Sequence, residues 1–86
     1  MQATFYGMTI NAAYKLESFL KKVGASHRKE WEEHNIVCDI IITTKGENIG
    51  IGCSFGADMV TLTAFVNKEI ITHTIDTADF ERMVVI

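Results

Sequence analysis

The sequence predicts an α+β domain in which one N-terminal helix packs on a four-stranded antiparallel sheet. Two observations carry this prediction. Apolar residues recur every three or four positions through residues 12–23, which is the spacing of one helix face. Through residues 36–75 the apolar spacing changes to every second position, and three short segments containing Gly, Asn, Asp or Lys interrupt the alternation. Four strands joined by three short turns form an antiparallel meander.

The N-terminal third is predicted to hold a short strand and then the helix. Residues 3–6 form the strand, and Asn11 can cap the helix because its side-chain oxygen accepts a hydrogen bond from an unpaired backbone N–H. Gly24 follows a helix end rich in lysine, which is typical of a helix C-terminus. The apolar stripe continues through residues 27–31, with a shift in phase that favours a break at Gly24. Two interpretations stay open: one long helix, or a break followed by a second short helix capped by Ser26.

Three turns set the register of the predicted meander. They lie at Lys45-Gly46, at residues 56–59 and at Asn67-Lys68. A slip of one residue sends every side chain to the opposite face, yet all three turns place apolar residues opposite apolar residues. The four rows of the predicted inner face are Ile36/Phe55/Val60/Ile75, Cys38/Cys53/Leu62/His73, Ile40/Ile51/Ala64/Ile71 and Ile42/Ile49/Val66/Glu69. The apolar stripe of the helix is expected to cover this face.

The chain ends in a predicted short helix beside the sheet edge. Asp76 or Thr77 can cap it, and the acidic residues that follow suit the N-terminal end of the helix dipole. A strand at residues 83–86 is the alternative. Residues 1–86 are thus expected to form one α+β domain with a short first strand and a short C-terminal helix. The element order β-α-β-β-β-β resembles that of cystatin-like folds, a resemblance of topology that implies no function.

Composition restricts the class of protein more than its function. The chain has 86 residues, of which 48% are apolar, and it contains no proline. No segment approaches the roughly 18 uninterrupted apolar residues of a membrane span, and the first residues lack the basic and apolar regions of a signal peptide. We therefore expect a cytoplasmic protein with no membrane partner. The net charge of −3 argues against nonspecific binding to phosphate backbones.

Two cysteines and one histidine share a predicted inner row, so a disulfide and a metal site are both considered. Cys38 lies opposite Cys53 at a spacing that permits a disulfide, although two reduced thiols are expected in a cytoplasmic chain. Leu62 separates His73 from Cys53, which argues against a shared metal ion. The sequence also lacks the spaced motifs of hydrolases, metalloproteases and phosphate-binding loops. We expect no catalytic residue, no metal and no cofactor.

The outer face of the predicted sheet offers the main candidate surface. Two of its rows are rich in threonine, which tolerates water. The third row is apolar around one glycine, and its members are Ile41, Gly50, Phe65 and Ile70. Gly52 lies in the row beside it. Interior strand glycines mark either strong curvature or close approach of another backbone, so two interpretations stay open: a sheet that curls around its helix, or a shallow apolar groove that a protein partner or a second copy covers.

Charged residues offer two further surfaces. Asp76, Asp79 and Glu81 cluster near the C-terminus and suit a basic partner. The lysines that recur every seven residues along the predicted long helix are Lys15, Lys22 and Lys29. Such a stripe can track a nucleic-acid backbone, but the glutamates that follow partly neutralise it, and no exposed aromatic side chain is expected among the lysines. A solvated helix face is therefore the preferred interpretation.

The predicted function is that of a small non-catalytic protein-binding module. Short length, mild acidity and the lack of an active-site motif are the profile of phage-encoded inhibitors of bacterial defence complexes, anti-CRISPR proteins among them, which occlude a partner surface. The predicted partner-binding residues are Ile41, Gly50, Gly52, Phe65, Ile70, Asp76, Asp79 and Glu81. Two alternatives stay open: an accessory domain that binds nucleic acid through helix lysines, and a small metal or thiol domain around Cys38, Cys53 and His73.

Overall fold

The computed structural model describes residues 2–31, 38–44 and 50–86, and most of the chain within these ranges is β-structure. The elements in chain order are β1 Gln2–Met8, α1 Ile10–Val23, β2 Ser26–Trp31, β3 Cys38–Thr43, β4 Gly50–Phe55, β5 Met59–Val66, β6 Glu69–Asp76, a short 3₁₀ helix Thr77–Asp79 and β7 Arg82–Val85. The strands form two antiparallel sheets, a four-stranded one with the order β2-β3-β1-β7 and a three-stranded one with the order β4-β5-β6. The helix α1 contacts β2 and β3 of the first sheet and β6 of the second.

One cluster of buried apolar side chains is shared by the helix and both sheets. Leu16 and Leu20 of α1 are fully buried, as are Phe5 and Ile40 of the four-stranded sheet and Leu62 of the three-stranded sheet. Burial of apolar surface is the main favourable contribution to folding. The buried face of α1 therefore packs against both sheets in one continuous core.

The helix begins and ends at two local signals. Thr9, and not the predicted Asn11, is the N-cap: its backbone is extended and its hydroxyl accepts a hydrogen bond from a first-turn N–H at 3.4 Å. At the other end Gly24 has a φ of 75°, and the N–H of Ala25 donates to the carbonyl of Leu20 at 2.9 Å. This is the Schellman arrangement, which glycine favours because it adopts positive φ without strain. The predicted break at Gly24 is confirmed.

The predicted second helix after Gly24 is wrong, because residues 26–31 form β2, which pairs with β3. His27 and Trp31 are four residues apart. That spacing places two side chains on one side of a strand and on one side of a helix alike, so the short segment does not reveal its own period. Pairing with β3 selects the strand, as tertiary contacts often override a weak local preference.

The predicted four-stranded meander is also wrong, because β3 does not pair with β4. It lies between β1 and β2, where Cys38 is opposite Met8 and Trp31 rather than Cys53. Residues 40–42 are three successive isoleucines. Strand β3 has a strand partner on each edge and is an interior strand of the four-stranded sheet.

The predicted register of β4, β5 and β6 is confirmed. Asn67 and Lys68 form the turn between β5 and β6 and have φ values of 50° and 66°, as the tight turns of hairpins require. The rows observed as predicted include Cys53/Leu62/His73, Phe55/Val60/Ile75 and Ile51/Ala64/Ile71. The positions of the prediction that lie outside the described residues are the turn Lys45-Gly46 and the row members Ile36 and Ile49.

The predicted C-terminal helix is wrong, and its alternative, a strand, is confirmed. The 3₁₀ helix has only three residues, and β7 then pairs antiparallel with β1. Phe80 packs edge to face on Phe5, with ring centroids 5.3 Å apart. Residues 84–86 are β-branched, which favours a strand. Six strands in two sheets therefore follow α1, and the resemblance to the order of cystatin-like folds is not supported.

Candidate binding surface

The outer side of the three-stranded sheet, which we term the open face, points away from the buried core. Its residues alternate with those on the core side of the sheet and are Gly50, Gly52, Ser54, Thr61, Thr63, Phe65, Ile70, Thr72 and Thr74. Phe65 is 57% exposed and Ile70 is 69% exposed. They are direct cross-strand neighbours, and Gly50 completes their row. The open face therefore presents two large apolar side chains side by side to solvent.

The two glycines of β4 leave the sheet backbone uncovered beside Phe65 and Ile70. A Cβ added at Gly50 or Gly52 meets nothing within 4 Å. Neither residue has a positive φ, and the ladder between β4 and β5 has no register shift. The local backbone therefore does not demand glycine at either position, and the space above them is free to admit a ligand backbone.

Ile41 does not belong to the open face, although the sequence predicts it there. It lies on β3 in the four-stranded sheet, opposite Thr4 and Arg28. It lines a pocket of about 250 Å³ on that sheet, together with Gln2, Ser26, His27, Arg28 and Thr43. The predicted row is wrong at this one position because it required β3 beside β4.

The three predicted acidic residues lie where the chain passes from one sheet to the other. Asp76 is exposed at the end of β6. The backbone carbonyl of Asp79 accepts a hydrogen bond from the N–H of Thr9 at 2.9 Å. The Glu81 side chain covers Gly7, since its Cγ lies 2.6 Å from where a Cβ of that glycine would be. Asp79 and Glu81 thus also help to position the chain around β1.

Cys38, Cys53 and His73 are not brought together as one site. Cys38 is buried in the four-stranded sheet, whereas Cys53 and His73 lie in the other sheet with Leu62 between them. Both cysteines are free thiols, and burial raises the pKa of each above its usual value. A protonated thiol is a poor nucleophile and a poor metal ligand. Among the described residues, no group of three or more His, Cys, Asp or Glu side chains is placed to hold a metal ion.

The imidazole of His73 stacks on the ring of Phe19, with centroids 5.3 Å apart. Burial lowers the pKa of His73 below its usual value of about 6.5, and the nearby Lys15 ammonium acts in the same direction. The unfolded chain therefore takes up this proton more readily than the folded protein does. The stability from the neutral ring is complete above about pH 6.5 and is lost as the pH falls below that value.

We expect His73→Phe to flatten the pH dependence of the free energy of unfolding between about pH 7.5 and 5.5, because it keeps a ring against Phe19 and removes the titrating group. Urea denaturation at several pH values measures this effect. His73→Gln serves as a second variant that removes the titration without an aromatic ring. A slope as steep in both variants as in the wild type contradicts the role of His73.

An exposed aromatic pair lies where the sequence predicts none. The rings of Tyr14 on α1 and Trp31 on β2 have centroids 5.9 Å apart, and the Lys29 ammonium lies 4.7 and 5.0 Å from them. Lys29 also donates a hydrogen bond to the Glu17 carboxylate at 3.2 Å, which lowers the pKa of Glu17. The pair is visible only once β2 is placed beside α1, and the helical interpretation of residues 27–31 excludes that placement.

The predicted lysine stripe does not form, because Lys29 lies on β2 and not on a continuation of α1. Lys29 and Lys21 both pair with Glu17, and Arg28 pairs with Glu30 at 2.9 Å. Cations that are already paired with carboxylates contribute less to the attraction of a phosphate backbone. Lys15, Lys22 and Lys29 therefore do not form the single row along one helix that the nucleic-acid interpretation requires.

α1 has 14 residues, short of the roughly 20 that a bilayer span requires, and the described part of the chain holds no other helix that qualifies. The open face combines two exposed apolar side chains with two glycines on one regular sheet surface. Comparison with protein-family models, curated proteins and solved structures gives no significant match.

Proposed function

We propose that this chain is a non-catalytic protein-binding module that binds its partner through the open face. The observation that carries the proposal is the pair of Phe65 and Ile70, which lie side by side and are both more than half exposed. Exposed apolar clusters on small proteins commonly mark interaction sites, and aromatic side chains are frequent energetic anchors of interfaces. Gly50 and Gly52 allow a partner to approach the sheet backbone closely.

A protein suits this surface better than a small molecule does. Small-molecule sites are concave and enclose most of their ligand, whereas the open face is the surface of a three-stranded sheet. Glu69 and Asp76 are exposed at the two ends of β6, and Asp79 and Glu81 extend the acidic end along the chain. A partner surface that complements the open face and these acidic residues has an apolar centre and a basic rim.

We propose that the specific role of the module is that of a phage-type, anti-CRISPR-like inhibitor, which occludes a surface of a bacterial defence complex. The net charge of −3 supports a basic partner site. Two free thiols, Cys38 and Cys53, support a reducing compartment and hence a cytoplasmic location. This role stays a prediction until a partner is identified.

Phe65→Asp is expected to weaken partner binding by about 30-fold or more, because it places a charge at the centre of an apolar contact. Affinity capture from a bacterial lysate identifies the partner, and titration calorimetry then compares the variants. Tyr14→Asp is the matched control, since Tyr14 is 51% exposed but lies on α1, outside the open face. Thermal denaturation verifies that both variants fold. An affinity of Phe65→Asp equal to that of Tyr14→Asp contradicts the proposal.

A further inference from the structure

Strand β4 is an edge of the three-stranded sheet. It pairs with β5 from Gly50 to Phe55 without a register shift. Within residues 2–31, 38–44 and 50–86, no strand pairs with its other side. Such a strand presents a row of unpaired backbone N–H and C=O groups, which is a template for pairing with another chain.

The strand β4 lacks the features that usually keep an edge from pairing. Charged residues, proline and bulges protect edge strands, and residues 50–55 contain no charge and no proline. The other edges differ. Strand β2 carries Arg28, Lys29 and Glu30, β7 has only four residues, and β6 carries a charged residue at each end. Among the described strands, β4 is therefore the edge most open to an added strand.

The core side of β4 is incompletely covered. Phe55 shares a row with Val60 and Ile75, which are 3% and 2% exposed, yet Phe55 itself is 65% exposed. Cys53 lies on the same side and is only partly buried, whereas Ile51 is buried. Among the described residues, the row that ends at Phe55 thus has no apolar cross-strand neighbour on the free side of β4.

We propose that a second copy of this chain pairs antiparallel with β4 and joins the two three-stranded sheets into one sheet of six strands. A two-fold axis perpendicular to the sheet requires the paired residues to lie on the same face. An axis centred at Cys53 meets this requirement. It places Phe55 opposite Ile51 of the second copy, so that each exposed ring gains an apolar cross-strand neighbour.

A second copy fits this edge because β4 is self-complementary. The strand has no charge, so two copies meet without like-charge repulsion. Gly52 lies opposite Ser54 of the second copy, and these small side chains allow the backbones to pair closely. A pairing of five residues on each side buries less than the roughly 1,200 Å² of a stable interface, so the dimer is weak and forms at high protein concentration.

Dimerisation through β4 extends the open face without blocking it. The two β4 strands lie at the centre of the six-stranded sheet, so the glycines of both copies lie in the middle of one continuous surface. Phe65 of each copy lies on β5, the next strand outward. Phe65 and Ile70 stay exposed, so the pairing does not depend on the partner proposed above. The two ideas can therefore fail separately.

Sedimentation velocity over a concentration series up to about 1 mM tests the pairing. The wild type is expected to pass from monomer to dimer, and Phe55→Asp to associate at least about 30-fold more weakly. Phe65→Asp is the control and dimerises like the wild type, because Phe65 lies on the central strand. Circular dichroism verifies the fold of each variant. A wild type that stays monomeric, a Phe55→Asp variant that dimerises normally, or a Phe65→Asp variant that does not dimerise overturns the proposal.

Cys53 supplies a second test that uses the unaltered chain. Diamide at about pH 8.5 takes two hydrogens from a pair of thiols and leaves a disulfide, and the axis at Cys53 sets the two Cys53 thiols opposite each other. We expect a covalent dimer linked through Cys53, identified by peptide mapping, and none with Cys53→Ser. Cys38 is buried and takes no part. An absence of covalent dimer, or one linked through Cys38, contradicts the register.

Discussion

Phe5→Ala is expected to lower the free energy of unfolding by about 3–5 kcal/mol. Phe5 is fully buried on β1, lies opposite Ile40 and Met83, and packs its ring on Phe80. Truncation removes the transfer free energy of the ring and leaves a cavity. The cavity cannot collapse freely because β1 is held between β3 and β7. A domain of this length has a total stability of roughly 4–13 kcal/mol, so the loss is a large fraction of it.

Urea denaturation followed by circular dichroism measures this loss. Phe65→Ala is the matched control, because it makes the same chemical change at a side chain that is 57% exposed. The control is expected to cost less than about 1 kcal/mol. If Phe5→Ala destabilises the protein no more than Phe65→Ala does, the shared core around β1 is contradicted.

Gly7→Ala is expected to cost about 1–2 kcal/mol, which corresponds to a fall of roughly 4–16 °C in Tm. Gly7 has a φ of 66° and lies where the register between β1 and β3 shifts. Its N–H donates to the Asp39 carboxylate at 2.9 Å, which fixes the backbone in this conformation. Alanine at this position must adopt the left-handed backbone conformation, and its methyl group must displace the Glu81 side chain.

Gly52→Ala is the matched control for Gly7→Ala. A Cβ at Gly52 meets nothing within 4 Å, and this glycine has no positive φ. The control is expected to be neutral or to raise stability by about 0.4–1 kcal/mol, because alanine reduces the entropy of the unfolded chain. Equal Tm values for the two variants are incompatible with a strained position at Gly7.

The register of β4, β5 and β6 was predictable because local signals determine it. Strict alternation and the turn at Asn67-Lys68 fix which residues face each other, and the chain between these strands is short. The end of α1 at Gly24 is local in the same sense, because glycine adopts the left-handed conformation that stops the helix.

The partners of β3 were not predictable from local signals. Sequential strands usually pair, and the isoleucines of β3 fit a neighbour on any strand with an apolar face. Residues that pair between β1 and β3 are separated by 30 or more positions, for example Met8 and Cys38. Competition among long-range pairings decides which strands lie beside β3. The apolar pattern of β3 is compatible with each of these pairings and so does not distinguish them.

The candidate surface was predictable to the same extent as the sheet that carries it. Gly50, Phe65 and Ile70 fall in one row as predicted, because only the β4–β5 and β5–β6 registers determine that row. Ile41 does not join this row, because β3 lies in the other sheet. The sequence does not predict the pair of Tyr14 and Trp31, because this contact joins α1 to β2, whose residues have an apolar spacing that fits a helix equally well.

In this fold β3 and β4 lie in different sheets, which leaves β4 with a free edge among the described strands. Cross-strand nuclear Overhauser effects between backbone protons, measured on dilute protein, test it most directly. We expect contacts of Cys38 with Met8 and Trp31. Contacts of Cys38 with Cys53 contradict the separation of β3 from β4, since they make β4 an interior strand without a free edge.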